Sequence, residues 1–201
     1  KMKIIILGQN KISSVCSLHS FSHALSLDMS KNIICKTSQL HLQLFENILF
    51  LDVSHNLIRY IRSLSFLNLR YLKLLSFLGN PIYILPPSAF KGMRDVKELK
   101  LSGLCIQQMQ EHAFSGLCAH TLNLSHNYIS MIRPQTFNNI QCLNSLDLRH
   151  NPIVTIYSTS FTDLKFLRSL EIDIPKFCCQ VPKFHLCFST TSALSSCDFV
   201  L

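Results

Sequence analysis

Apolar residues recur along this chain at two spacings superimposed. Around Asn56 they stand at Ile48, Leu51, Val53, Ile58, Ile61, Phe66 and Leu69, and around Asn151 at Leu143, Leu146, Leu148, Ile153, Ile156, Phe161 and Leu164. The pair two residues apart, such as Leu146 and Leu148, predicts a short strand that sends both side chains to one side while residues 145, 147 and 149 face the other. The whole set returns every 22 to 24 residues, as LDMSKN (27–32), LDVSHN (51–56), LNLSHN (122–127) and LDLRHN (146–151) make plain. Aligned on the asparagine, the slots fall at Asn10, Asn32, Asn56, Asn80, Leu104, Asn127, Asn151 and Pro175, which makes eight units.

One unit cannot bury seven apolar side chains. Stacking units as neighbouring parallel strands, roughly 4.8 Å apart, turns the leucines into one continuous core in which each repeat depends on the next. An asparagine at the inner turn offers its amide to backbone groups of its own and adjacent coils that burial otherwise leaves without partners. Leu104 and Pro175 lack that chemistry. Ten residues beyond each slot, Phe66, Phe90, Phe114, Phe137 and Phe161 form a bulky column that widens the outer side and bends the stack, strands on the concave face. Segments such as NPIYILPPSAF (80–90) carry prolines and are short, so turns, extended stretches and single 3₁₀ turns are expected on the convex side.

This pattern, L-x-x-L-x-L-x-x-N-x-L, resembles the leucine-rich repeat over residues 2 to about 175. The resemblance implies the α/β class: a curved solenoid with a parallel sheet on its concave face. It divides the chain into repeats over 1–175, without an N-terminal cap, and a cysteine-rich segment over 176–201. Met2 to Leu7 then form an uncovered edge strand.

Composition adds a folded protein, 48% apolar and 15% charged, with a net charge of +8. The lysines and arginines are strewn along the chain without a dense block, so charge alone names no partner. No apolar run approaches the roughly 20 residues of a membrane span, and KMKIIILG lacks a full signal-peptide core. The outward strand positions tell more. The three columns are Ile4, Ser26, Phe50, Leu74, Glu98, Thr121, Ser145, Ser169; Ile6, Asp28, Asp52, Ser76, Lys100, Asn123, Asp147, Glu171; and Gly8, Ser30, Ser54, Leu78, Ser102, Ser125, Arg149, Asp173. Six of the chain's eleven acidic residues fall here, where chance places about one. Asp28 beside Asp52, and Asp147 beside Glu171 and Asp173, are suited to a guest arginine that bridges two carboxylates with its forked donors. Phe50, Leu74 and Leu78 offer an apolar patch between them. Two plainer readings stand beside this one: Asp is common in this slot of the repeat, and Glu98 can pair with Lys100 or Lys97, as Asp173 can with Arg149. Asn123, in the sequon Asn123-Leu124-Ser125, is the candidate glycan acceptor, on a face where a glycan obstructs binding. His55, His126 and His150 share a slot with Lys31, Gly79 and Gly103, a variety that reads as a solvated turn rather than a metal site.

The closing stretch holds Cys178, Cys179, Cys187 and Cys197, even in number and clustered, which suits a disulfide-closed cap in an oxidising compartment. Adjacent cysteines rarely bridge each other, so Cys178 and Cys179 pair with Cys187 and Cys197 in an order left open. Zinc on Cys178, Cys179, His185 and Cys187 is the rival, but it lacks the C-x₂-C half of common fingers. Cys16, Cys35, Cys105, Cys118 and Cys142 read as buried thiols, although Cys118 and Cys142 share a column and could bridge. Cys178, Pro182 and Cys187, followed by LSSCDFVL (194–201), resemble the juxtamembrane hinge of leucine-rich-repeat-containing G-protein-coupled receptors, especially the relaxin-family peptide receptors; the cysteine doublet is also similar to the glycoprotein hormone receptors. The resemblance implies an ectodomain at the extracellular face of the plasma membrane and a membrane segment after Leu201. It also implies a basic, insulin-like peptide hormone on the concave strands, rather than nucleic acid, with no cofactor. The low-density-lipoprotein-type module of that family is missing here.

An enzyme is the contrary class. Five glycines, no phosphate loop, no nucleophile elbow and no H-E-x-x-H argue against it, leaving only Cys179, His185 and Asp198 as an imaginable thiol triad. The nearer alternative is a secreted or single-span recognition or adhesion protein of the innate-immune type, which shares the solenoid.

Overall fold

The computed structural model describes residues 3–15, 22–157 and 159–173, together with the backbone of 186–188. Its strands, in chain order, are β1 (Ile4–Ile6), β2 (Ser26–Asp28), β3 (Phe50–Asp52), β4 (Leu74–Ser76), β5 (Ile84–Leu85), β6 (Val96–Lys100), β7 (Gln108–Met109), β8 (Ala119–Asn123), β9 (Met131–Ile132), β10 (Ser145–Asp147), β11 (Thr155–Ile156), β12 (Ser169–Glu171) and β13 (Leu186–Phe188). One parallel sheet runs β1-β2-β3-β4-β6-β8-β10-β12-β13, with two-stranded sheets β5-β7 and β9-β11 behind it. The register keeps the predicted leucine column in line: Leu27 pairs with Leu51, Leu51 with Leu75, Leu75 with Leu99, Leu99 with Leu122, Leu122 with Leu146 and Leu146 with Leu170. Every one of these leucines is buried.

The helical part of the expected α/β class reduces, among the described residues, to the 3₁₀ turns Thr37–Leu40 and Leu42–Leu44. A unit of 22 to 24 residues must hold a strand, an asparagine turn and a return path, which leaves no room for a full α-helix. Proline-bearing 80–90 instead contributes the two-residue strand β5.

The asparagines act as the column predicts. Asn56 donates to Met29 O in the preceding coil (2.9 Å) and to Val53 O and Ser54 O in its own, while its carbonyl accepts the Ile34 N–H at 3.0 Å. Asn32, Asn80, Asn127 and Asn151 likewise each reach a carbonyl of the coil before and accept an N–H from it. At Leu104 the ladder has a gap: the Ile82 N–H, which an asparagine there is placed to accept, turns to Asn80 O at 2.9 Å instead. Among the described residues, the one before each slot lies in the left-handed region, from Gln9 and Lys31 through His55, Gly79, Gly103 and His126 to His150. That explains the two glycines in an otherwise varied column.

Behind the core the phenylalanines stack ring on ring: Phe66–Phe90 at 5.8 Å, Phe90–Phe114 at 5.8 Å, Phe114–Phe137 at 5.5 Å and Phe137–Phe161 at 5.7 Å. Neighbouring strands of a sheet sit about 4.8 Å apart, so the outer column is spaced more widely than the inner one and the sheet lines the concave side.

A disulfide joins Cys118 to Cys142 across consecutive coils, with Cα atoms 5.1 Å apart. The expectation of buried thiols fails at Cys35, which is exposed, and at Cys105, which is partly so. Both stand within three residues after the asparagine slot, on the flank of the coil rather than in an apolar column. Cys16, Cys178, Cys179 and Cys197, with Pro182, His185 and Asp198, lie outside the described residues. Cys187 enters the description only through β13, whose backbone pairs Cys187 with Leu170, so the sheet continues into the segment expected to form the cap.

Candidate ligand-binding face

The register assembles the outward columns as read from the sequence. Phe50 pairs with Ser26 and Leu74, and Leu74 with Glu98, while Asp28 pairs with Asp52 and Asp147 with Asn123 and Glu171. The eight candidate positions therefore lie on one face, but their electrostatics divide them into two groups.

A common local function explains the Asp slot. Asp28 accepts the Ser30 N–H (2.8 Å), Asp52 the Ser54 N–H (2.8 Å), Asn123 the Ser125 N–H (2.9 Å) and Asp147 the Arg149 N–H (3.0 Å). A short side-chain acceptor at the strand end satisfies the N–H two residues on as the chain turns away. Asn123 also accepts the Ser125 hydroxyl at 2.7 Å, so the sequon is held within its own turn.

Towards the C-terminal end the carboxylates are already occupied. Arg149 donates through Nε and Nη2 to both oxygens of Asp147 (3.0 and 2.8 Å), and the same Nη2 reaches Glu171 at 2.8 Å. The bridging guanidinium expected from a guest is supplied by the chain itself, and its hydrogen bonds to Asp147 push the Arg149 pKa above its ordinary value. Asp173 takes the His150 backbone N–H, with the imidazole Nδ1 3.7 Å away. The His150 ring stacks on His126 with centroids 4.2 Å apart. Glu98 pairs with Lys100 at 3.3 Å, both half-exposed.

The N-terminal half is different. Asp28 and Asp52 each spend one oxygen on the turn, and among the described residues the other has no hydrogen bond or ion pair. Beside them Phe50 is 42% exposed and Leu78 41%, with Leu74 partly covered between. Ile4 and Ile6 extend the apolar surface along β1; they belong to the outward columns, but their chemistry resembles core, so the sequence alone gives no reason to pick them out. The result is an apolar patch edged by two carboxylates that have lone pairs to offer. Among the described residues no three His, Cys, Asp or Glu side chains converge to hold a metal, and no helix is long and apolar enough to cross a membrane.

The profile of the family described as leucine rich repeat matches residues 119–173. A solved structure of a TLR13–ssRNA13 complex is similar to this chain with a TM-score of 0.69 at 24% identity, over 92% of this chain and 26% of that one. The chain thus spans about a quarter of that neighbour, and likeness at this identity concerns the fold. No curated relative matches the chain. Repeat, asparagine ladder and parallel sheet together make the fold a leucine-rich-repeat solenoid, and the family profile falls on residues 119–173 of it. The scaffold itself names no ligand.

Proposed function

We propose that this chain is the ligand-recognition part of a receptor ectodomain, and that coils one to four of its concave face take a basic peptide or protein hormone. The observation that carries the reading is the pairing of Phe50 with Leu74 in register beside the Asp28–Asp52 pair, whose outer oxygens have no partner among the described residues. An exposed apolar patch with an acidic edge favours a guest that has both an apolar side chain to bury and a cation to orient it. Asp147 and Glu171 are engaged by Arg149, Glu98 by Lys100 and Asp173 by the His150 N–H, so the acidic edge that the reading uses is the Asp28–Asp52 pair. The disulfide fits an oxidising, extracellular setting. The resemblance of the segment around Cys178, Pro182 and Cys187 supports a relaxin-receptor-like G-protein-coupled receptor with its membrane segment beyond Leu201. The acidic edge also opposes a phosphate backbone on this face.

The test is titration of the protein with a basic two-chain insulin-like peptide. Asp28→Asn with Asp52→Asn, and separately Phe50→Ala, are each expected to weaken binding about tenfold, which is about 1.4 kcal/mol. Glu171→Gln is expected to have a smaller effect, because Arg149 already neutralises that carboxylate. Unchanged affinity in both variants, or a single-stranded RNA that displaces the peptide from this face, overturns the reading.

A further inference from the structure

The lysines and arginines that look strewn along the sequence become columns once the coils are stacked. Arg70 and Arg94 occupy equivalent places in consecutive units, one residue after the buried Leu69 and Met93; Lys73 and Lys97 repeat one residue before the paired Leu74 and Glu98. All lie on the flank where the chain returns from the convex side to the sheet. There a cleft of about 670 Å³ crosses four coils, lined by Asn68, Arg70, Lys91, Arg94 and Gln141 above a floor that includes Gly92 and Gly116.

The floor is kept low by the backbone. Gly92 lies at φ +102°, and a Cβ there meets the Leu67 backbone at 2.6 Å, so no side chain can fill the groove at that point. Gly92 N donates to Gly116 O, and Gly116 N to Asn139 O, which continues the stacking along the cleft. The nearby acid Asp95 is already committed: it is bonded to Lys73 and to His120 Nε2 (3.2 Å), and those bonds, Lys73's first, hold its carboxyl below the usual range. Arg70, Lys91, Arg94 and Lys97 are exposed, and none forms an ion pair with another described residue.

We propose that this flank is a binding site for a sulfated polysaccharide, separate from the concave face. A row of unpaired cations across successive coils matches a linear chain of anionic groups, with the arginine forks meeting sulfate oxygens two at a time. Two observations favour a sulfated glycan over a single-stranded nucleic acid. Among the described residues that line the cleft there is no aromatic ring on which bases stack. Cys118, one of its lining residues, is half of the disulfide, which assigns the surface to an oxidising compartment, where sulfated glycans are abundant.

The probe is a heparin-derived oligosaccharide, set against its desulfated form and a single-stranded RNA of equal charge, with binding to the full chain measured across a salt series. The sulfated sugar is expected to bind and the desulfated one not. Arg70→Gln, Lys91→Gln and Arg94→Gln together are expected to weaken binding about tenfold and to flatten the salt dependence. Lys31→Gln, Arg59→Gln and Arg133→Gln, which remove the same charge from exposed positions elsewhere, are expected to leave most of it. Equal loss in both triple variants reduces the effect to net charge and overturns the proposal. So does tighter binding of the RNA. Circular dichroism of each variant confirms that the solenoid is retained.

Discussion

At the scale of single residues, Asn56 shows what one carboxamide does in a stacked fold. It satisfies Met29 O, Val53 O, Ser54 O and the Ile34 N–H, all in buried surroundings. Asn56→Ala strands these groups away from water and is expected to cost about 3 kcal/mol, read from the midpoint of urea unfolding. A loss under about 0.5 kcal/mol means that water replaces the amide and the ladder is not a structural device. This role was legible in advance because it repeats; any residue that recurs at every turn of a solenoid serves every turn. The partner of Arg149 was not. Sequence spacing allows Asp173, whose charge does act on Arg149, and the guanidinium also takes Asp147 and Glu171, because its own strand-end turn places Asp147 within bidentate reach.

At the scale of elements, strands of three residues have no stability of their own and exist only as rungs of a larger stack. The phenylalanine column couples those rungs from behind. Phe114 stacks on Phe90 and Phe137 at 5.8 and 5.5 Å and is fully buried. Phe114→Ala is expected to destabilise by about 3–5 kcal/mol, the range for emptying a large aromatic site. Phe114→Leu should recover a good part of it, and thermal unfolding of the two variants is the comparison that checks this. The column and its consequence were legible, since an aromatic residue at constant spacing has a single place in a coil. The short strands β5, β7, β9 and β11 were visible only as extended stretches, because two-residue pairs carry too little pattern to mark their ends.

At the scale of the whole molecule, stability passes from neighbour to neighbour, and the Cys118–Cys142 bridge ties two neighbours covalently. The bridge closes a separation of 24 residues, so its removal by Cys118→Ser with Cys142→Ser is expected to cost about 3 kcal/mol while the fold is kept. Backbone bonds from Gln141 N to Leu117 O and from Ala119 N to Gln141 O hold the same coils without it. Thermal unfolding of the variant beside the parent protein tests this, with a single lowered transition as the expected result. Stacking also sorts the surface. The concave side is acidic and apolar, and the flank before the strands is basic. The opposite flank exposes Leu57, Tyr60, Tyr83 and Tyr128.

The sequence by itself determined the repeat, the register of the sheet, the inward leucines, the asparagine ladder and the list of residues on the concave face. All of these follow from a period, and a period survives translation into space. Tertiary structure decided which members of those columns are chemically free. Whether a carboxylate waits for a guest depends on where a long guanidinium comes to rest, and whether scattered lysines and arginines form a site depends on coils 24 residues apart lying side by side. Those are matters of distance between residues far apart in the chain, and only the stacked solenoid sets them.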